Sequence, residues 1–136
     1  MLTFTIEPNI SDTDALGHIT NTKLPVWFEA ARTPYFRFFT PDLNLRRWRL
    51  ILAHIDVDFV RQIFFGRPVQ IYSYTAKIGG KSFTVNQEAW QDGRQCATGA
   101  TVLVRYDWET EKPVALNADE RAQLSAITPT APVASE

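Results

Sequence analysis

Apolar and polar residues alternate in a short stretch at the start of the chain. Residues 2–7 place Leu2, Phe4 and Ile6 at every second position, with polar residues between them. Alternation with a period of two is typical of a strand that buries one face. The pattern therefore predicts a first strand over residues 2–7.

The spacing of apolar residues becomes helical after the loop that follows. One broad and largely aromatic face is formed by Leu24, Trp27, Phe28, Ala31, Tyr35 and Phe38. Asn21 and Thr22 can both cap this helix. Pro25 favours Thr22, because the proline then stands third in the helix, where its missing N–H costs nothing. Pro34 predicts a kink, or the end of the regular helix, near Thr33.

From about residue 48 the period of two returns. It predicts four strands, over about residues 48–59, 69–78, 82–90 and 95–106. In the first of these strands one predicted face carries Ile51, Ala53, Ile55, Val57 and Phe59, and the other carries His54, Asp56 and Asp58. Residues 117–124 predict one or two helical turns. The Ala-, Thr-, Ser- and Pro-rich residues 125–136 predict a disordered tail.

One strand, one aromatic helix and an antiparallel meander of about four strands make an α+β domain. A helix with so broad an aromatic face must be buried against a large apolar surface, so we expect a strongly curved sheet wrapped around it. The chain of 136 residues is long enough for one core and too short for two. A single domain is therefore expected over residues 1–124.

Composition and charge argue against several classes of protein for this chain. A net charge of −1 argues against a basic nucleic-acid binder, and the single cysteine, Cys96, excludes an intrachain disulfide or a CxxC metal site. No stretch approaches the roughly 20 apolar residues that cross a bilayer. The N-terminus lacks the basic start and apolar core of a signal peptide. We therefore expect a cytoplasmic protein without nucleic-acid or membrane partners.

The loop before the helix carries the clearest chemical pattern. It contains Asp12 and Asp14 and leads directly into a helix N-terminus, whose free N–H groups and dipole favour a developing oxyanion. A nearby carboxylate can attack a carbonyl or take a proton from water. Two positions apart in extended backbone, the aspartates point in opposite directions, so only one faces a given site. The alternative is that both only cap turns or the helix.

These residues resemble the signature of the 4-hydroxybenzoyl-CoA thioesterase family. The first motif is Asp12-Thr13-Asp14-Ala15-Leu16-Gly17-His18-Ile19-Thr20-Asn21, continued by residues 27–32, and shorter similarities follow at residues 55–59, 78–83 and 104–107. The resemblance covers most of residues 2–124. It implies the hot-dog fold, a curved antiparallel sheet around one long central helix, and hydrolysis of an acyl-CoA without a metal or other cofactor.

The resemblance also implies roles for single residues. Asp14, the second aspartate of the motif, takes the place of the catalytic carboxylate, as nucleophile or as general base. Backbone N–H groups of Asn21 and Thr22 are the expected oxyanion donors. Some relatives carry a histidine where this chain has Asn21, which weakens a general-base role at that position. Three residues are expected to support the loop: Asp12, Gly17 and His18.

CoA carries phosphates, so basic residues are expected near the mouth of the site. Arg61, Arg67 and Lys81 follow strands or turns, and each is an ordinary surface charge in the alternative interpretation. The resemblance favours Lys81 and Ser82, because that region lies near the pantetheine arm in the family. Arg61, Lys81 and Ser82 are therefore the candidate CoA-binding residues.

Two other functions fit parts of the pattern. A hot-dog dehydratase or hydratase is faintly indicated by His18 and Glu29, although its D-x-N-P-x-H pattern is absent. The second alternative function is that of a non-catalytic acyl-CoA-binding dimer.

A homodimer or homotetramer is expected, because a small core and the edge strands of a curved sheet leave apolar surface to cover. Same-face residues such as His54 and Asp56 lie about 7 Å apart in a strand, so we expect no metal site there.

Overall fold

Strands and helices form close to the positions that the periodicity predicts. The computed structural model describes residues 1–129. Strand β1 (Leu2–Ile6) is followed by helices α1 (Lys23–Ala31) and α2 (Thr33–Phe39). The remaining elements are β2 (Leu50–Phe59), β3 (Val69–Ile78), β4 (Ser82–Gln91), β5 (Arg94–Asp107), β6 (Lys112–Pro113) and α3 (Ala118–Ser125). The α+β class is confirmed, and so is the hot-dog arrangement of a curled antiparallel sheet with a helix.

The sheet is antiparallel and has the strand order β1-β3-β4-β5-β2, with β6 paired to the end of β5. The predicted meander is right for β3, β4 and β5 but wrong for β2. This strand pairs with β5 on the far edge, because β1 and β4 occupy the two sides of β3. Between β2 and β3 the chain therefore crosses from one edge of the sheet to the strand next to the opposite edge.

A bulge at Ala53 changes the predicted faces of β2. Leu52 lies opposite the buried Leu103, whereas His54 lies opposite Val102 on the next position of β5. Directly opposed residues share a face of the sheet. The inner face of β2 therefore carries Leu50, Leu52, Ile55, Val57 and Phe59, and Ile51 lies on the outer face instead of the predicted one.

The aromatic face of α1 packs against the sheet. Trp27 and Phe28 are buried with Val69 and Ile71 of β3 in one cluster of the core. A side chain at Gly99 of β5 would place its Cβ 2.8 Å from the Phe28 ring and 2.9 Å from the Asp56 carbonyl oxygen. The helix thus approaches the sheet at a position where only a hydrogen fits.

The central helix is divided in two, as Pro34 predicts. Helix α1 ends at Ala31 and α2 begins at Thr33. Proline has no N–H to offer the Ala30 carbonyl, and the Thr33 hydroxyl donates to that oxygen instead at 2.9 Å. Helix α2 buries Tyr35 and Phe39 in a second cluster of the core.

The ordered part of the domain extends past the predicted boundary at residue 124. Helix α3 is capped by Asn117 and reaches Ser125. Ile127 is buried in the second cluster, and its carbonyl oxygen accepts a hydrogen bond from the Thr75 N–H at 3.0 Å. The composition of residues 125–136 hid this contact, because one isoleucine carries it. Residues 130–136 of the predicted tail lie outside the described residues.

Within residues 1–129 no helix has the length and apolar character needed to span a membrane.

Candidate functional site

The loop between β1 and α1 folds into a tight turn around Asp14. The Asp14 N–H donates to the His18 carbonyl at 2.8 Å, and the Gly17 N–H donates to the Asp14 carbonyl at 3.3 Å. Gly17 has a φ of 82°, a left-handed conformation that other residues adopt at a cost. The turn therefore depends on glycine at this position.

The loop forms hydrogen bonds with only one of the two oxygens of the Asp14 carboxylate. Its Oδ1 accepts hydrogen bonds from the N–H groups of Leu16, at 2.8 Å, and His18, at 3.1 Å. Within residues 1–129 no donor reaches Oδ2, and the side chain is exposed. The turn thus holds one oxygen in place and leaves the other free to react.

Asp12 is placed quite differently. It is buried, its Oδ2 accepts from the Asn9 N–H at 2.8 Å, and its Oδ1 lies 3.4 Å from Lys23 Nζ. Its carbonyl oxygen accepts from the Thr20 N–H at 2.8 Å. These contacts tie the loop to the first turn of α1, so the two aspartates occupy unequal environments.

The start of α1 leaves two backbone donors free. Thr22 caps the helix without a side-chain hydrogen bond. The Lys23 N–H donates to the Thr20 carbonyl and the Leu24 N–H to the Asn21 carbonyl. The N–H groups of Asn21 and Thr22 find no acceptor in the part of the chain that the structure describes. Together with the helix dipole they can stabilise an oxyanion.

A cavity of about 380 Å³ opens beside this helix start. Asn21 and Leu24 lie on one wall, and the loop after β2 forms the other with Val60, Arg61 and Gln62. Asp14 is not among the lining residues and stands earlier on the same loop. The two walls are fastened together, because the Ile19 N–H donates to the Ile63 carbonyl at 2.8 Å. His18 supports the same junction, with its ring 5.2 Å from the Phe64 ring.

Two predicted CoA contacts lie elsewhere in the chain. Lys81 is in the β3–β4 turn and Ser82 is the first residue of β4, at the end of the sheet away from the loop after β2. Strands β3 and β4 have 10 residues each, so the two ends are roughly 30 Å apart. Of the predicted CoA contacts, Arg61 is the one that the structure brings to the cavity of Asn21.

A second cavity, of about 410 Å³, lies at the other end of α1. Its polar residues are Glu29, Arg32 and Thr33, and its apolar wall is formed by Ala30, Phe36, Leu45, Trp48, Leu50, Leu52 and Leu103. Glu29 is exposed there. Its carboxylate belongs to this cavity and not to the one at the helix start.

Sequence reasoning missed the buried polar network under this cavity. Arg32 is 2% exposed, and its Nη1 donates to Gln87 Oε1 at 3.0 Å and to Thr101 Oγ1 at 3.2 Å. Its Nε has no hydrogen-bond partner within residues 1–129. Burial lowers the pKa of Arg32 from its ordinary value, while the negative charge of Glu29 acts against that shift. The one available signal was an arginine four positions after Phe28, on the apolar face of the helix.

The remaining ionisable groups offer less chemistry. Burial raises the pKa of the Cys96 thiol, which disfavours its thiolate form. His54 Nε2 lies 3.1 Å from Asp56 Oδ2 on the exposed strand β2. Residues 1–129 contain no group of three or more His, Cys, Asp or Glu arranged to hold a metal ion.

Comparison with known proteins gives consistent matches along nearly the whole chain. Residues 8–124 match the family model of the Thioesterase-like superfamily. The uncharacterized protein YsmA of Bacillus subtilis is 28% identical over 120 residues, which cover 88% of this chain and 82% of that protein.

Two solved structures share both sequence and fold with the chain. A predicted thioesterase from Bacillus stearothermophilus is 39% identical, with a TM-score of 0.91 over 96% of this chain and 98% of that one. A thioesterase from Thermus thermophilus, solved in complex with coenzyme A and Zn, is 27% identical, with a TM-score of 0.80 over 90% and 96% of the two chains.

Proposed function

Because the chain belongs to the thioesterase-like superfamily, we propose that it hydrolyses an acyl-CoA thioester to a free acid and CoA. The observation that carries this proposal is the Asp14 carboxylate, which has one hydrogen-bonded and one free oxygen and stands on a loop that ends in two free helix N–H groups. The coenzyme A bound to the similar Thermus thermophilus thioesterase supports CoA as the thiol.

The proposed reaction adds one water molecule across the C–S bond. The thioester carbonyl oxygen accepts hydrogen bonds from the Asn21 and Thr22 N–H groups, which stabilise the negative charge of the tetrahedral intermediate. The free oxygen of Asp14 either attacks the carbonyl carbon, giving a mixed anhydride that water then opens, or takes a proton from the attacking water. The electron pair of the broken bond leaves on sulfur, which receives a proton as the CoA thiol.

Replacing Asp14 by Asn tests the catalytic carboxylate. The amide keeps the shape of the turn but loses the charge and basicity, so kcat should fall about 10²–10⁴-fold. Thermal unfolding should change little, because the side chain is exposed. The assay is thiol release from short, long, branched and aryl CoA esters, using the ester that the parent protein hydrolyses fastest.

Asp12→Asn is the matched control two residues away. Its carboxylate is buried and bonded to Asn9 and Lys23, so this change should lower stability by about 1 kcal/mol and reduce kcat less than Asp14→Asn does. Near-normal kcat in Asp14→Asn would make Asp14 a structural residue and refute the assignment.

A single turnover in oxygen-18-labelled water tests the nucleophilic route. If Asp14 attacks and water then opens the anhydride at the Asp14 carbonyl carbon, an unlabelled Asp14 oxygen leaves with the first molecule of acid, and label enters Asp14. If Asp14 activates water, or if water opens the anhydride at the acyl carbon, the first acid molecule carries the label and Asp14 does not, so label in Asp14 establishes the nucleophilic route.

The proposal includes a homodimer or homotetramer. The inner side of the edge strand β2 is open, with Leu52 50%, Ile55 36% and Phe59 53% exposed. Lys81 and Ser82 lie too far from Asp14 to serve the site of their own chain, so a role for them in CoA binding requires a second copy. A cytoplasmic location is part of the same proposal.

The alternatives give different products in the same panel. A dehydratase or hydratase changes the absorbance of an enoyl thioester without releasing thiol, and a non-catalytic binder holds CoA esters without turnover. Thiol release that depends on Asp14 excludes both.

A further inference from the structure

A third cavity, of about 600 Å³, adjoins the one at the helix start. Arg61 and Gln62 line both cavities, which therefore meet at these side chains. The new walls come from the loop after β2 and from the β4–β5 hairpin, with Phe64, Arg67, Gln91, Asp92, Arg94 and Cys96.

The charges in this cavity are not balanced. Arg67 Nε lies 2.7 Å from Asp92 Oδ2. Within residues 1–129 neither Arg61 nor Arg94 has a carboxylate at ion-pair distance. Two guanidinium groups without a counter-ion thus share one cavity, and such an arrangement attracts anions.

Buried groups hold the cavity in shape. Gln91 is 4% exposed, and its Nε2 donates to the carbonyls of Phe64, at 2.8 Å, and Arg67, at 3.2 Å. Its Oε1 accepts from the Phe64 N–H at 3.0 Å. The Arg61 N–H donates to the Cys96 carbonyl at 3.0 Å. The guanidinium groups therefore project from backbone that is already fixed.

The arginine run at residues 46–49 forms a contrasting basic cavity at the opposite end of the sheet. There Arg47 pairs with Asp42, and Arg105 Nε lies 3.0 Å from Glu120 Oε2. Asp107 and Glu109 also line that cavity. Within residues 1–129 Arg46 and Arg49 also have no carboxylate at ion-pair distance, but their cavity shares no lining residue with the cavity of Asn21.

We propose that Arg61, Arg67 and Arg94 form a binding site for the phosphates of coenzyme A, in the same chain that presents Asn21 to the thioester. The inference rests on the proposed function. Guanidinium groups bind phosphate oxygens through paired, charge-assisted hydrogen bonds. Arg61 marks the junction from which the CoA arm enters the cavity at the helix start.

The test compares two double variants of the full chain. Arg67→Gln with Arg94→Gln removes two charges from the proposed site, and Arg46→Gln with Arg49→Gln removes two from the opposite cavity. Each protein is assayed with the CoA ester that the parent protein hydrolyses fastest and with the pantetheine ester of the same acyl group, which lacks the nucleotide and its phosphates. Binding of free CoA is measured by calorimetry, and thermal unfolding checks that each variant is folded.

The site variant should raise KM for the CoA ester about 10–100-fold, because each lost charge-assisted hydrogen bond weakens binding about tenfold. The preference for the CoA ester over the pantetheine ester should fall by the same factor. The calorimetric Kd for CoA should rise in parallel, and the control should match the parent. Raising the salt concentration should raise KM for the CoA ester in the parent more than in the site variant.

Parent-like KM and Kd in the folded site variant would overturn the proposal. Loss of CoA affinity in the control alone would overturn it too, by placing the phosphates at residues 46–49. If the parent hydrolyses none of the short, long, branched and aryl CoA esters but binds CoA through Arg67 and Arg94, the proposed function fails while the phosphate site stands.

Discussion

Tyr35 shows how a single buried group makes stability depend on pH. Its ring is 0% exposed, and its hydroxyl lies 3.0 Å from Thr75 Oγ1. Burial raises the pKa of Tyr35 to about 12, and the hydrogen bond to Thr75 acts in the opposite direction. The phenol thus stays neutral in the folded chain at a pH where it already ionises in the unfolded chain.

The free energy of unfolding should therefore fall as pH rises from about 10 to about 12. The folded pKa is raised, so this contribution is fully present below the unfolded pKa and is lost as pH rises through the folded value. Urea unfolding at pH 9 and pH 11 measures the fall, and Tyr35→Phe, which cannot ionise, should show a smaller one. Equal pH dependence in both proteins would show that Tyr35 is not responsible.

At the scale of single residues, buried polar side chains were the hardest to predict. Asp14 and Asp12 could be singled out because both stand in a short loop motif. Gln87 gave no signal, although it is buried on the inner face of β4 and donates to the Phe28 carbonyl at 2.8 Å and to Ser73 Oγ at 3.0 Å. These partners lie on α1 and β3, and such pairing depends on the packed fold rather than on neighbours in sequence.

At the scale of elements, periodicity predicted the strands β3, β4 and β5. Pro34 predicted the break in the central helix. Periodicity could not predict that β2 pairs with β5, because strand pairing depends on which edges are free. The bulge at Ala53 was equally hidden, because residues 50–53 are all apolar and their pattern does not show which of them face inward.

The segment after α3 should contribute to stability through one side chain. Ile127→Ala removes a buried side chain from the second core cluster and should cost about 2–4 kcal/mol. The neighbouring Thr128 is exposed, so Thr128→Ala should cost less than about 0.5 kcal/mol. Thermal and urea unfolding of both variants compare the two costs. Equal stabilities would mean that the Ile127 side chain contributes nothing.

At the scale of the whole molecule, the open edge of the sheet predicts self-association. Strand β2 presents unpaired backbone groups together with exposed Leu52, Ile55 and Phe59 on its inner face. Exposed edges of this kind usually pair or are covered. A second copy would cover this strip and place its own β3–β4 turn nearer to the Asp14 loop.

Ile55→Lys should therefore shift the protein toward the monomer, because a charge in an apolar interface must be desolvated. Asn86→Lys, on the outer face of the central strand β4, is the control and should leave the assembly unchanged. Sedimentation equilibrium gives the mass of each protein. A parent protein that is monomeric and active at low concentration would contradict the assembly proposal.

Gly99 has a consequence for the routes by which this sequence can change over evolutionary time. Any larger residue at position 99 collides with the Phe28 ring and the Asp56 carbonyl oxygen, so Gly99→Ala should cost about 1–3 kcal/mol. A smaller residue at position 28 would relieve the ring contact but not the backbone one. A double-mutant cycle of Gly99→Ala with Phe28→Leu should thus show favourable coupling with incomplete rescue. The two positions are therefore expected to change together in descendants of this sequence, with the smaller side chain at 28 arriving first.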